Sequence, residues 1–92
     1  MKLAFSKRFV KDYRRLPASI QKSADKQLSL LLSDFHHPSL NTKKMQDPRY
    51  IWEGRVTKGY RFTFQIHEDL YFLRRIGTHD YLKSPNRNPN ET

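Results

Sequence analysis

The stretch YIWEGRVTKGYRFTFQI, residues 50–66, decides the fold, because its hydrophobic residues alternate with polar ones. In its first half Trp52, Gly54 and Val56 fall on one face and polar residues fall on the other, as a half-buried strand requires. The second half repeats this alternation with Tyr60, Phe62, Phe64 and Ile66. A β-hairpin is therefore predicted here.

Two turns join this hairpin to its neighbours. Thr57-Lys58-Gly59 is the predicted hairpin turn, where the glycine is free to take positive φ. His67-Glu68-Asp69 is a second turn, and it leads into LYFLRRIG at residues 70–77. This last run has apolar residues on both faces, as a central strand does, so its inward face stays open at this point. Together the runs predict a three-stranded antiparallel meander.

The chain before residue 50 has the period of helices. After a short strand at residues 2–6, Ser6 is the predicted cap of a first helix, and Pro17 ends it. Its apolar face carries Phe9, Tyr13 and Leu16. The order β-α-α-β-β-β predicts an α+β fold with the helical hairpin on one side of the antiparallel sheet.

Ser19 is the predicted cap of the second helix, and Pro38 marks the limit of its apolar stripe. That stripe consists of Ile20, Ala24, Leu28, Leu31, Leu32 and Phe35. Residues 39–49 have turn formers without a period and are predicted to be a loop. We expect a single domain over residues 1–84 and a disordered tail at 85–92, which is polar and rich in Asn and Pro.

The charge of the chain indicates a polyanionic or acidic partner. Eighteen Lys and Arg against nine Asp and Glu give a net charge of +9. Ten basic and three acidic residues lie in residues 1–46, so the helices hold most of the excess. Most of these cations are expected on solvated helix faces. Without cysteine, a signal-like apolar run or a membrane-spanning stretch, a cytoplasmic location is expected, with no membrane partner.

Arg55, Arg61 and Arg75 come from three successive strands, and the first two lie opposite the aromatic face. If the strands pair in order, one sheet face gathers guanidinium groups that can each hold a phosphate. Surface pairing with Glu53 or Asp80 is an equally good reading of each arginine taken alone. The three arginines together favour phosphate binding.

His79 follows the last strand closely and is a candidate for proton transfer. Cleavage of RNA without a metal needs a group to deprotonate the 2′-hydroxyl, another to protonate the 5′-oxygen, and cations at the phosphate. A histidine titrates near neutrality and can fill either proton-transfer role. Asp80 is expected to orient it, and Tyr81 to stack on a base or donate a proton, although both also suit turn and packing roles.

The remaining histidines favour no site. His36 and His37 fall at the expected end of the second helix, and His67 falls in a turn. Their spacing is not that of metal ligands, so no metal is predicted. With three glycines and no phosphate-binding loop, no nucleotide or small-molecule cofactor is expected either.

The order of motifs resembles the RelE/ParE superfamily of small microbial toxins from type II toxin–antitoxin systems. The likeness runs through FSKRFVKDYRRLP, HPSLNTKKM, IWEGRV, GYRFTF and LRRIGTHDYL. It is strongest to the RelE/YafQ-like branch, whose last strand ends in a similar Gly-Thr-His segment. The resemblance implies a RelE-like fold and an mRNA endoribonuclease that cuts in the ribosomal A site and inhibits translation.

The resemblance also implies roles for particular residues. Arg61 in GYRFTF matches the phosphate-stabilising arginine of the third strand, and His79 in GTHD matches the catalytic position at the end of the last strand. Arg55 lies near a basic strand position, with the pairing shifted by one residue. Glu53 stands where RelE has a lysine, and Tyr81 aligns roughly with a C-terminal tyrosine. RNA-binding roles are expected for a further set: Arg75, Arg74 and Lys58.

The resemblance implies a cognate antitoxin as partner, acidic in its toxin-binding segment and encoded by an adjacent gene. The ribosome and mRNA are the other expected partners. Two alternatives remain at this stage. One is a ParE-like toxin that poisons DNA gyrase without cutting RNA, since one scaffold hosts both activities. The other is a non-toxic relative that only binds RNA or the antitoxin.

Overall fold

The computed structural model describes residues 1–82, which form nine short elements. The strands are β1 (Lys2–Phe5), β2 (Lys43–Lys44), β3 (Trp52–Arg55), β4 (Tyr60–His67) and β5 (Leu70–Thr78). The helices are α1 (Lys7–Arg14), α2 (Ala18–Ser33) and α3 (His79–Leu82), with a 3₁₀ turn at Pro38–Leu40. The predicted boundary at residue 84 and the predicted tail lie outside the described residues.

The five strands form one sheet in the order β1-β5-β4-β3-β2. The pairs β3–β4 and β4–β5 are antiparallel, so the predicted meander is confirmed. Strand β1 adds to β5 in parallel, with Leu3 opposite Tyr71. Strand β2 forms the other edge with Lys43 opposite Glu53, inside the segment that the sequence predicted to be a loop. The α+β fold is confirmed, but two residues of the expected loop are strand.

Helix α1 begins as the sequence predicts, because the side chain of Ser6 accepts a hydrogen bond from the amide of Phe9 at 2.9 Å. Helix α2 does not begin at Ser19. Pro17 is its N-cap residue, and it makes no side-chain cap because its ring has no hydrogen-bond acceptor. Leu32 was predicted in the apolar stripe, but it is exposed on the outer side of α2.

A bulge explains why the inward face of β5 could not be read from its sequence. Thr63 of β4 lies opposite Arg75, whereas the next residue, Phe64, lies opposite Leu73. Arg74 is therefore the extra residue in β5, and the alternation changes phase there. This lets Leu73 and Ile76 both enter the core, although they are three positions apart.

The core lies between the helices and one face of the sheet. Phe62 and Phe64 are fully buried on β4, and Leu28 and Leu31 of α2 belong to the same cluster. Burying one such side chain contributes about 1.5–3 kcal/mol. Because neighbouring residues in a strand point to opposite faces, the residues between these phenylalanines must lie on the other side of the sheet. No helix within residues 1–82 is long and apolar enough to span a membrane.

The two turns of the meander use different residues from those predicted. Gly59 does not have positive φ, so that expectation is wrong. The connection between β3 and β4 spans residues 56–59 and is long enough to reverse without a left-handed residue. The left-handed residue of the second turn is Glu68, with φ 51°. The β4–β5 connection has only two residues, and such short hairpins require positive φ.

Candidate functional site

The two predicted catalytic arginines are direct neighbours on the sheet face that is turned away from the core. Arg55 on β3 lies opposite Arg61 on β4, which in turn lies opposite Gly77 on β5. The alternation along β4 places Arg61 on the opposite face from Phe62. The sheet therefore brings the two arginines into one row, as the sequence pattern predicted.

Arg61 is held by the turn that precedes it. Its Nη1 donates to the carbonyl oxygens of Thr57 at 2.7 Å, Lys58 at 3.0 Å and Tyr60 at 3.0 Å. The guanidinium thus fixes the β3–β4 turn, on which Lys58 is exposed. Only Nε and Nη2 of Arg61 are left without a hydrogen bond to the described residues.

Arg55 is tied to the helices through its backbone and not through its side chain. Its carbonyl accepts a 2.9 Å hydrogen bond from Nε2 of Gln27, a buried residue of α2 that also donates to Ser39 at 3.2 Å. The Nε atom of Arg55 is buried and has no hydrogen-bond partner among residues 1–82. A buried N–H without a partner is uncommon, so this atom requires an explanation.

A second row of polar residues adjoins the arginine pair. Glu53 lies opposite Thr63, which lies opposite Arg75. Glu53 is 4% exposed, and its carboxylate is 3.7 Å from the exposed ammonium of Lys43. The hydroxyl of Thr63 is buried and has no partner among the described residues. This row therefore holds a buried acid and an unpaired hydroxyl on the side away from the core.

Arg75 is bound by an acid that the sequence reading did not single out. Its Nε donates to Oδ2 of Asp12 at 2.8 Å, and its Nη2 donates to Oδ1 at 3.3 Å. The amide of Ile76 donates to the same Oδ2 at 3.1 Å. Neither Glu53 nor Asp80, the partners considered from the sequence, makes this pair. Both side chains of the pair are almost fully buried, so Asp12 fixes Arg75 and anchors α1 to the sheet.

One nitrogen of Arg75 is left over. Nη1 is buried and has no partner among residues 1–82, whereas Nη2 also donates to the hydroxyl of Tyr81 at 2.6 Å. The Arg75 guanidinium carbon lies 4.9 Å from the centre of the Tyr81 ring. The same hydroxyl accepts from Arg8 at 3.4 Å. Tyr81 thus packs on the arginine, and a β-carbon at Gly77 would come within 2.8 Å of its ring.

His79 lies at the same end of the sheet as the Arg61 turn. Its amide donates to the carbonyl of Gly59 at 3.3 Å, and its side chain is 45% exposed. Nδ1 of His79 is 3.9 Å from Oδ1 of Asp80, which is too long for a hydrogen bond. Asp80 is fully exposed, so it does not fix the imidazole in the way the sequence reading expected.

Arg74 lies apart from the arginine pair. It lines a groove of about 270 Å³ together with Ser6, Arg49, Gln65 and Phe72. Its charge also helps to lower the pKa of Asp47, although the main cause is the hydrogen bond from Arg49. No group of three residues able to hold a metal ion is found within residues 1–82. Among the predicted RNA-binding residues Arg75, Arg74 and Lys58, Arg74 lies farthest along the sheet from the end that carries His79.

Comparisons with known proteins agree with this architecture. No family model matches the sequence, and no curated protein matches it. Among solved structures, YafQ from E. coli strain BL21(DE3) has a TM-score of 0.71 at 16% identity, covering 88% of this chain and 96% of that chain. The YoeB/ParE toxin from Agrobacterium tumefaciens has 0.73 at 15%, covering 86% and 99%. A chain of the RelB–RelE antitoxin–toxin complex from Methanococcus jannaschii has 0.70 at 22%, covering 85% and 92%.

The chain has the RelE/ParE-type toxin fold. The helical hairpin and the mostly antiparallel five-stranded sheet are those of these toxins. The resemblance that the sequence motifs indicated is confirmed at the level of the fold, and YafQ and RelE structures are among those matched.

Proposed function

We propose that this protein is the toxin of a type II toxin–antitoxin system and acts as a ribosome-dependent mRNA endoribonuclease in the cytoplasm. The fold that it shares with YafQ, RelE and YoeB/ParE toxins supports the toxin assignment. The chemistry is proposed from its own residues. No metal and no cofactor enters the mechanism.

One observation carries the nuclease proposal. Three buried polar atoms without partners among residues 1–82 lie in the two adjoining rows of the outer sheet face: Arg55 Nε, Thr63 Oγ1 and Arg75 Nη1. Each such atom costs about 1–3 kcal/mol of stability. All three can donate a hydrogen bond, and a phosphate oxygen is an acceptor that suits each of them. Donors that lack partners in the free protein can bind an oxyanion. They could therefore stabilise the negatively charged phosphate in the transition state of cleavage.

The residues then take distinct roles. Arg55 and the free nitrogens of Arg61 hold the phosphate, with Arg75 presented at a fixed angle by Asp12. A base removes the proton of the 2′-hydroxyl, the 2′-oxygen attacks phosphorus, and the 5′-oxygen leaves after it receives a proton. His79 performs one of these proton transfers, and Glu53 is the candidate for the other because it is buried beside the arginines.

The other predicted residues contribute around this centre. Tyr81 shields one side of Arg75, and Asp80 adds negative charge close to His79. Lys58 and Arg74 lie on either side of the two rows and bind the RNA backbone on the way to and from the cut phosphate.

The antitoxin is proposed to bind the helical side. YafQ is known in complex with DinJ, and RelE in complex with RelB. An apolar groove of about 320 Å³ lies among Phe5, Phe9, Val10, Tyr13 and Leu28, and one cation and one acid, Arg14 and Asp25, border it. Apolar side chains of an amphipathic segment would fill the groove, and its acidic residues would meet the excess positive charge of residues 1–46.

Two other functions fit the same fold. A ParE-like gyrase poison needs a binding surface but no titrating group, so His79 at the end of β5 favours the nuclease. A relative that only binds RNA or antitoxin would retain the arginines, and its RNA affinity would fall steeply with salt without any cut product.

The test is primer extension on a defined mRNA in a reconstituted translation system, with and without ribosomes. His79→Ala should reduce ribosome-dependent cleavage by about 10²–10⁴-fold, because it removes a proton-transfer group. His67→Ala is the matched control, since His67 is exposed at the far end of β4 and should cut normally. If the wild-type protein leaves the mRNA intact at concentrations that arrest growth, the nuclease proposal is rejected. DNA gyrase would then be the target to test.

A further inference from the structure

Tyr50 combines two unfavourable features that its local structure does not require. Its side chain is 67% exposed, more than any other large hydrophobic residue in the described part of the chain. Its backbone has φ 58°, in the left-handed region that bulky residues rarely adopt. Glycine or asparagine at this position would avoid both costs. A bulky aromatic ring retained there points to a role in binding.

The loop around Tyr50 is closed by hydrogen bonds, so the backbone that carries the ring is already ordered. The amide of Met45 donates to the carbonyl of Ile51 at 2.8 Å across its base. The amide of Tyr50 donates to the carbonyl of Asp47 at 3.0 Å. Arg49 is held by Asp47 through Nε at 3.0 Å and Nη2 at 2.9 Å. Little ordering of this loop would remain to be done on binding.

One cation lies over the ring, and a second is adjacent to the first in the chain. The ammonium of Lys44 lies 4.8 Å from the ring centre. Lys43 is the other residue of edge strand β2, and it is also exposed. Lysines on an edge strand prevent unwanted strand pairing, which accounts for Lys43 and Lys44 but not for the strained, exposed tyrosine. An exposed aromatic ring beside basic side chains is an arrangement with which proteins bind single-stranded nucleic acid.

The loop is also connected to the strand that carries the candidate site. The carbonyl of Arg49 accepts a 2.9 Å hydrogen bond from Nε2 of Gln65, which lies on the same face of β4 as Arg61 and Thr63. The loop that carries the ring is therefore tied to the strand that carries the proposed cleavage site.

We propose that Tyr50 is a nucleobase-stacking residue and that the loop Met45–Ile51 with β2 forms an RNA-binding surface outside the cleavage site. One unpaired base stacks on the ring, and Lys44 and Lys43 contact the adjoining phosphates. The proposal deepens the proposed function and rests on RNA being the ligand. The base belongs either to the substrate mRNA or to ribosomal RNA.

The test measures the affinity of wild type and variants for a short fluorescein-labelled single-stranded RNA and, separately, for isolated ribosomes. Tyr50→Asn removes the ring and suits the left-handed backbone, and Tyr50→Phe retains the ring. Tyr50→Asn should weaken binding roughly 5- to 150-fold, the effect of losing one stacked base. Tyr50→Phe should bind nearly as wild type.

Two controls separate stacking from other causes. Glu68→Asn changes another exposed residue of positive φ, at 51°, and should leave RNA affinity unchanged. Lys44→Ala should reduce the salt dependence of binding by about one unit of slope, whereas Tyr50→Asn should leave that slope unchanged. Lys2→Ala, on the opposite edge strand β1, should have no such effect on the slope.

The outcomes are distinct from those that test the nuclease. A loss seen only with free RNA assigns the base to the substrate, and a loss seen only with ribosomes assigns it to ribosomal RNA. Equal binding of Tyr50→Asn and wild type to both ligands, including no binding by either, overturns the stacking proposal. The nuclease proposal stands or falls separately, on whether wild type cuts mRNA in the primer-extension assay.

Discussion

Removing the carboxylate of Asp12 should destabilise the fold strongly, because it leaves a buried guanidinium without its counter-charge. The side chains of Asp12 and Arg75 are 4% and 3% exposed, and the Nε–Oδ2 distance is 2.8 Å. Breaking a pair buried to this extent costs about 3–5 kcal/mol. Small domains have a total stability of about 5–15 kcal/mol. In a domain of this size, Asp12→Ala should therefore lower Tm by about 12 °C or more.

A double-mutant cycle measures the interaction between Asp12 and Arg75 separately from their other contacts. Asp12→Asn retains an oxygen for the amide of Ile76, and Arg75→Met retains the apolar stem of the arginine. Each single change leaves one buried charge alone, whereas the double variant buries none and should recover much of the loss. A coupling free energy of about 2 kcal/mol or more is expected. Asp25→Asn, an exposed acid of α2, is the control and should cost less than about 1 kcal/mol.

The assay is urea denaturation at neutral pH, with the midpoint and the slope compared for all variants. If the effects of Asp12→Asn and Arg75→Met simply add, the two side chains are not coupled. Arg75 would then reach solvent in the native state, and the reasoning that Asp12 presents it to a phosphate would be refuted.

Three further outcomes are expected. Thr63→Val should raise the free energy of unfolding by about 1 kcal/mol, because its buried hydroxyl has no partner in the described chain. It should also slow cleavage. Differential scanning calorimetry measures the first effect, and primer extension measures the second. Hydrogen bonds from Arg49 lower the pKa of Asp47 to about 2, so their stabilisation is complete above about pH 4 and is lost as pH falls through about 2. Carboxyl NMR should show this midpoint, and Arg49→Gln should raise it. Gly54→Ala should cost about 1–3 kcal/mol in urea, since a β-carbon would overlap the Phe62 ring.

Much of the fold follows from local sequence patterns. The alternation in residues 50–66 predicts the hairpin because side-chain direction along a strand depends only on position. The cap at Ser6 is likewise a local hydrogen bond and was predicted correctly. The parallel pairing of β1 with β5 was not predicted, because Leu3 and Tyr71 are distant in the sequence and no turn connects them. The two-residue strand β2 is too short to show a period.

The candidate site was only partly predictable for the same reason. The sequence pattern placed Arg55 and Arg61 on one face, since both follow the strand alternation. It missed Asp12, although a signal was present. Asp12 is the one acidic residue of α1 and lies on its apolar side, three positions after Phe9 and four before Leu16. A lone acid on an apolar helix face must find a buried cation, and here Arg75 is that cation.

The three arginines of the meander make different contacts. This difference indicates which residues should affect RNA affinity and which should affect the cleavage step. Nη1 of Arg61 is used to close a turn, Arg75 is neutralised by Asp12, and Nε of Arg55 remains buried and unpaired among the described residues. Arg55 and Arg61 keep their charges, but Asp12 offsets Arg75 and Glu53 offsets one of the other two, so the site adds little net positive charge. The attraction of RNA must come mainly from cations outside these rows, and most of these lie in residues 1–46. It follows that charge changes on the helices should alter affinity and its salt dependence, whereas changes in the strand rows should alter the cleavage step once RNA is bound.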